Sequence, residues 1–207
     1  HQLLSKRYKT PEFLVIAFSP NDKMLSKESR NTIKNISNEL LSLEKVNSVN
    51  SILNVPLLQS SNKSLADILE GVPLLEDNIV DYLDAKKEFL NSPLYKNNLV
   101  SSDFKTTAIL VNLKENNKLS NIREQIKLLK KKISNNSITE DELKVYNDLK
   151  VDLRNIRDIE RDIQSSLIND TRNILNKYKS FGEIYLGGIP MIANDVVSFV
   201  KNDLKIL

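Results

Sequence analysis

Three groups of residues in this chain have types and spacings that could do chemistry. The run Lys130-Lys131-Lys132 puts three ammonium groups in succession, the composition of a phosphate or lipid-headgroup patch. The acidic pairs Asp141/Glu142 and Glu160/Asp162 have the charge to hold a cation. Gly187-Gly188-Ile189-Pro190 follows a short apolar stretch, where a glycine loop can cradle an anion. Each has a plainer reading. The lysine run sits in a charged helical pattern with an acidic pattern next to it, as a solvated helix face does. The acidic pairs lie in that second charged pattern, where water satisfies them. The glycine stretch lacks both the Lys-Ser/Thr of a phosphate loop and the three-glycine spacing of a dinucleotide fold. Its glycines instead supply the free φ that a strand-to-helix break requires.

Other reactive equipment is missing. The chain has no Cys, and its one His is His1, the first residue. A Ser-His-Asp or Cys-His unit therefore cannot be assembled, and a zinc site would have to rest on carboxylates alone. The expectation is a protein that is not an enzyme, with no catalytic, cofactor-binding or metal-binding residues and no cofactor. No substrate-binding residue declares itself.

The composition is that of a soluble globular chain, 40% hydrophobic and 28% charged, and 207 residues suffice for one domain with an insertion. The net charge of +3 argues neither for nor against a nucleic-acid footprint, which needs a concentrated basic face; the strands lack the aromatic and basic interleaving of single-strand binders, and no nucleic acid is expected as a partner. The longest purely apolar run is Phe13 to Phe18, far short of the roughly 20 residues that cross a bilayer.

Several elements follow from periodicity. Glu12 to Ser19 reads as a strand buried on both faces, stopped by Pro20-Asn21-Asp22. Ser26 to about Glu44 reads as a helix capped by Ser26, with Ile33, Ile36, Leu40 and Leu43 three or four apart. Val46 to Val55 reads as a second strand, closed by Pro56. A helical turn or two is expected over Ser64 to Glu70. A helix over Glu76 to Asn91 would turn Ile79, Val80, Leu83 and Leu90 inward. Asn98 to Val100 reads as a short edge strand, Lys105 to Leu113 as the third main strand, and Glu183 to Gly187 as the fourth. A last helical pattern carries Ile192, Val196, Phe199, Val200, Leu204 and Leu207 and has no stop signal after it.

The stretch before the fourth strand is different in kind. Leu119, Ile122, Ile126, Leu129 and Ile133 recur at alternating spacings of three and four. After a polar break at Ser134 to Ile138, Thr139-Glu140-Asp141-Glu142 forms a capping box. A second helix then carries Leu143, Tyr146, Leu149, Leu153, Ile156, Ile159, Ile163 and Leu167 and runs to about Lys179. Lys118 to Ile133 has six basic and one acidic residue; Thr139 to Asp162 has five basic and eight acidic. The opposite charges predict an antiparallel helical hairpin, residues 118–165, inserted in a single domain spanning 1–207. The element order predicts an α+β fold of the ferredoxin-like, split β-α-β kind, with that hairpin as its insertion.

Four stretches, taken in order, resemble one family. They are Phe13 to Pro20 (FLVIAFSP), Val46 to Leu58 (VNSVNSILNVPLL), Ser92 to Leu113 (SPLYKNNLVSSDFKTTAILVNL) and Tyr185 to Pro190 (YLGGIP). Together they are similar to the large extracytoplasmic loop between the first two transmembrane helices of RND-superfamily exporters, of the MMPL and hopanoid-exporter-like type. Phe104 stands where that family often has Gly. The resemblance implies a porter-type subdomain of a proton-driven exporter of lipids or other hydrophobic molecules. It implies a place on the extracytoplasmic, periplasmic side of an inner membrane. The implied partners are the transporter's own transmembrane helices, its second extracytoplasmic domain and the hydrophobic cargo. The family's proton-relay acids lie in membrane helices, so none can be placed on this chain. The other reading is a stand-alone interaction module that docks a protein partner through its charged hairpin.

Overall fold

The computed structural model describes residues 12–60, 71–77, 80–188, 190–192 and 195. The expected helical turns over 64–70 and almost all of the last helical pattern lie outside them. The chain divides into two compact units, His1–Lys114 with Ile168–Leu207, and Glu115–Leu167.

In the first unit, β1 (Phe13–Pro20) is followed by α1 (Lys27–Leu41) and β2 (Val46–Asn50). Pro20, which has no N–H to offer a ladder, is the last residue of β1. Ser26 caps α1, its hydroxyl accepting from the Ser29 N–H at 3.2 Å. β2 stops at Asn50, five residues before the Val55 that the apolar pattern suggested. Asn54 is the reason: its side chain accepts from Ser51 N–H at 2.7 Å and donates to the Val49 carbonyl at 2.7 Å, folding the backbone into a turn.

The next helix, α2 (Tyr82–Asn91), starts later than its periodicity suggests because Asp81 caps it, accepting from Leu83 and Asp84 N–H. Its inward face is Ala85, Glu88 and Phe89, while Leu83 is 71% exposed. Val80 is buried just ahead of the cap, and residue 79 lies outside the described residues. Asn98 to Val100 forms no strand. Val100 makes isolated bridges, antiparallel to Thr107 and parallel to Lys96. Then come β3 (Thr107–Leu113), α3 (Asn117–Ser134), α4 (Glu140–Asn176), a 3-10 turn (Lys179–Phe181) and β4 (Gly182–Gly187).

The four strands form one antiparallel sheet in the order β2-β3-β1-β4. Both β1 and β2 run antiparallel to the β3 between them, so they are parallel to each other. β1 is buried on one face only. Leu14, Ile16 and Phe18 alternate with half-buried Val15 and Ala17, and β3 repeats the pattern with Thr107, Ile109, Val111 and Leu113 inside. Antiparallel pairing explains why a near-continuous apolar run does not need two covered faces. Gly182 starts β4 because a side chain there would meet β1: a Cβ would lie 2.3 Å from the Ser19 carbonyl oxygen.

The buried sheet residues share the core with Ile33, Ile36 and Leu40 of α1, and with Ile168, Ile174 and Leu175 near the end of α4. Beside them, Phe89 stacks edge-on against Tyr95 and tilts toward Phe104. Glu88 is buried there, and its carboxylate accepts from the N–H groups of Leu58, Gln59 and Ser60 and from the Ser60 hydroxyl, at 2.7–3.0 Å. Four donors to one charge offset its desolvation and pin the segment that follows Pro56. The Tyr95 hydroxyl donates to the Pro56 carbonyl, holding the same segment from its other side.

In the second unit the five-residue turn between α3 and α4 contains Asn136 in the left-handed region, φ 52°. The capping box is reciprocal: Glu142 N–H donates to the Thr139 hydroxyl, and Thr139 N–H donates to the Glu142 carboxylate. The half-buried seam of α4 is Glu142, Tyr146, Leu149, Leu153, Ile156, Glu160 and Ile163, ending at buried Leu167. Leu143 and Ile159, expected inside, are exposed. Counted strictly from Tyr146, the alternation of three and four puts glutamates at those two turns. Both are satisfied: Lys132 pairs with Glu142, and the Asn116 side chain donates to Glu160. Asn116 also caps α3 by accepting from Leu119 N–H at 3.0 Å.

In the first unit, Glu39 of α1 joins the end of α4 by accepting from Lys177 Nζ at 2.6 Å and from the Tyr178 hydroxyl at 2.5 Å. The Lys177 hydrogen bond, then that of Tyr178, holds the Glu39 carboxyl below its ordinary 4.5. Its contribution to stability is therefore present above that value and lost as pH falls through the lowered one. Burial, then the bond to Glu39, pushes the Tyr178 phenol up to about 12 from 10.0. That contribution is complete below 10.0 and is lost as pH rises toward 12. Glu39→Gln should lower the Tyr178 pKa while burial keeps it above the ordinary value. An alkaline titration of phenolate absorbance, with Tyr178→Phe marking the transition, measures it.

Candidate functional site

A cleft of about 830 Å³ opens in the first unit where β1 ends. Three turns build it, and short polar side chains shape each one. In the first, the Asn21 side chain donates to the Ser180 carbonyl and the Asn21 N–H to that of Phe181, both at 3.0 Å, while Asp22 accepts from Lys23 N–H at 2.7 Å. In the second, the Ser101 hydroxyl lies 2.6 Å from the Asp103 carboxylate and accepts from Thr106 N–H at 2.9 Å, and Asp103 accepts from Lys105 N–H at 3.1 Å. The third is the capped start of α2, which brings Tyr82, Leu83 and Lys86.

Phe104 sits in the second turn with φ 59°, a left-handed conformation that a bulky residue adopts only when something holds it there. Packing supplies the hold. The ring is buried, its centroid 6.1 Å from that of Phe89, and the Lys86 ammonium lies 5.4 Å from it. The Arg30 guanidinium stands 4.6 Å over the Tyr82 ring.

Two of the cleft's carboxylates, Asp22 and Asp103, are fixed by their own turns. The Lys23 backbone N–H, then Ser26, holds the Asp22 carboxyl below its usual range. The Ser101 hydroxyl, then the Lys105 N–H, does the same for Asp103. The cleft combines buried apolar residues, Met24 and Phe104, with the charged side chains of Asp22, Lys23, Lys86, Asp103, Lys105 and Glu183. Among the described residues, no three His, Cys, Asp or Glu side chains gather as metal ligands would.

The residues with chemical potential in the sequence lie elsewhere. Lys130 and Lys131 are exposed on α3, and Lys132 is engaged by Glu142. The acidic pairs do not converge, since Glu142 and Glu160 face the hairpin seam at opposite ends while Asp141 and Asp162 face solvent. Gly188 takes φ 125°, where a Cβ would come within 2.9 Å of the Phe13 carbonyl oxygen, and Pro190 to Ile192 turn helical. Two signals in the sequence fall among the cleft residues, the Pro20-Asn21-Asp22 stop after the first strand and Phe104 at a position where the resembled family often has Gly.

No protein-family model matches the chain, and no curated protein matches it. No helix among the described residues is long and apolar enough to cross a membrane.

Replacing Phe104 by Gly separates strain from packing. Relief of the left-handed conformation returns about 1–2 kcal/mol, whereas loss of a buried ring costs about 3–5 kcal/mol. Phe104→Gly should therefore be about 2 kcal/mol less stable in urea unfolding. Equal or greater stability would show that the ring is not held by packing.

Proposed function

We propose that this chain is the porter-type, extracytoplasmic subdomain of a proton-driven RND-superfamily exporter, carrying lipids or other hydrophobic molecules. The observation that carries the reading is the sheet. An order of β2-β3-β1-β4, with β1 and β2 parallel on either side of β3, is what a ferredoxin-like split β-α-β plan requires. Added to it are the four stretches that resemble the family, each of which contributes residues to a strand of that sheet. The glycine break after β4 also fits, since in such exporters the chain leads from there to the second membrane helix. In this reading the chain itself does no chemistry. It works by lining part of the cargo's path and by moving with membrane-embedded neighbours of the same transporter. A periplasmic position, the second extracytoplasmic domain as neighbour and the absence of any cofactor belong to the same proposal.

A second reading draws on the hairpin. Glu115–Leu167 is a compact unit of its own, with a basic helix and an acidic one, which suits a stand-alone module docking a protein partner.

The coding sequence beyond Leu207 separates the two. The exporter reading expects an apolar span of roughly 20 residues to follow, and a related domain further downstream. A stop codon directly after Leu207 would contradict it and favour the module.

A further inference from the structure

The cleft where β1 ends has a chemistry that the export reading does not assign. Met24 and Phe104 form a buried apolar floor. Tyr82 and Leu83 stand beside it 40% and 71% exposed, so apolar surface continues from the floor out to the mouth. The lining also carries three ammonium groups, Lys23, Lys86 and Lys105, and three carboxylates, Asp22, Asp103 and Glu183. These charges sum to zero, and among the described residues no lysine of the lining comes within ion-pair distance of a carboxylate. Asp22 and Asp103 are held by donors of their own turns. Lys86 lies over the Phe104 ring.

We infer that this cleft binds a single-chain amphiphile with a zwitterionic head. The chain lies along Leu83 and Tyr82 onto the Met24–Phe104 floor. The head's cationic group faces the turn carboxylates, and its phosphate or carboxylate group faces the lysines. A purely anionic head would meet three carboxylates, and a purely cationic one three ammoniums. An uncharged sugar head would offer hydroxyls to the six charged groups but no countercharge. A volume of about 830 Å³ falls inside the span of roughly 300–1,000 Å³ common to small-ligand sites. The inference names the chemistry of a cargo. It rests on the export reading only for the step from binding to transport.

The test uses the full chain, isotopically labelled and titrated by NMR with four detergents that share a dodecyl chain. These are dodecylphosphocholine, dodecyl sulfate, dodecyltrimethylammonium and dodecyl maltoside, each below its micelle concentration. Dodecylphosphocholine should bind saturably, shift Met24, Leu83 and Phe104, and bind at least about tenfold tighter than the maltoside, a difference of about 1.4 kcal/mol. The double variant Lys86→Gln, Lys105→Gln should weaken phosphocholine binding about tenfold and leave maltoside binding unchanged. Leu83→Asp, at an exposed position that folding does not depend on, should weaken all four. Equal binding of phosphocholine and maltoside would overturn the inference. So would tightest binding by the sulfate or the trimethylammonium detergent, shifts confined to other residues, or no saturable binding. Any of these would leave the reading of the fold standing. A stop codon after Leu207 would remove that reading and leave the binding result intact.

Discussion

The structure of the first unit depends on β1 pairing along both of its edges. Ile16 faces Ile109 of β3 on one side and Leu186 of β4 on the other. The two neighbours are far apart in sequence, so this strand closes the longest loops in the unit. Burying Leu14, Ile16 and Phe18 contributes roughly 1.5–3 kcal/mol for each side chain. A slip of one residue would turn all three to the opposite face, which makes the register strongly specified. Gly182 marks how close the approach is, because no larger residue fits against Ser19 and Pro20.

Where β1 ends, the geometry of the sheet becomes the geometry of the cleft. Pro20 releases the chain into a turn that Asn21 ties back to the residues before β4. The turn before β3 arrives beside it because β3 is the neighbour of β1. A four-stranded antiparallel sheet built in this way presents its loops at defined positions, where a ligand can be held among them. Two polar contacts tie the hairpin's helices together, the Lys132–Glu142 ion pair near the turn and the Asn116–Glu160 hydrogen bond at the far end.

Much of this was legible in the sequence where local chemistry decides. The Thr139–Glu142 capping box, the Ser26 cap, the apolar repeat of α3 and the apolar strands all act over a few residues. Three of the misreadings share a cause, which is a polar side chain competing with an apolar pattern. Asn54 ended β2 before Val55. Asp81 began α2 after the apolar repeat had started, and so turned Leu83 outward. Glu160 took a seam position that hydrophobicity had given to Ile159, because Asn116 was there to meet it. Glu88 left no trace in the sequence, since its four donors belong to a segment about thirty residues away. The cleft was illegible for the same reason: its three turns come from distant parts of the chain and meet only through the order of the strands.

Residue-resolved amide hydrogen exchange on the full chain tests the central place of β1 most directly. The amides of Leu14 to Phe18 and their partners in β3 should be the slowest in the molecule, exchanging only through global unfolding, while the hairpin amides of 117–163 exchange faster through local opening. Hairpin amides slower than those of β1, or β1 amides that exchange by local opening, would contradict the account.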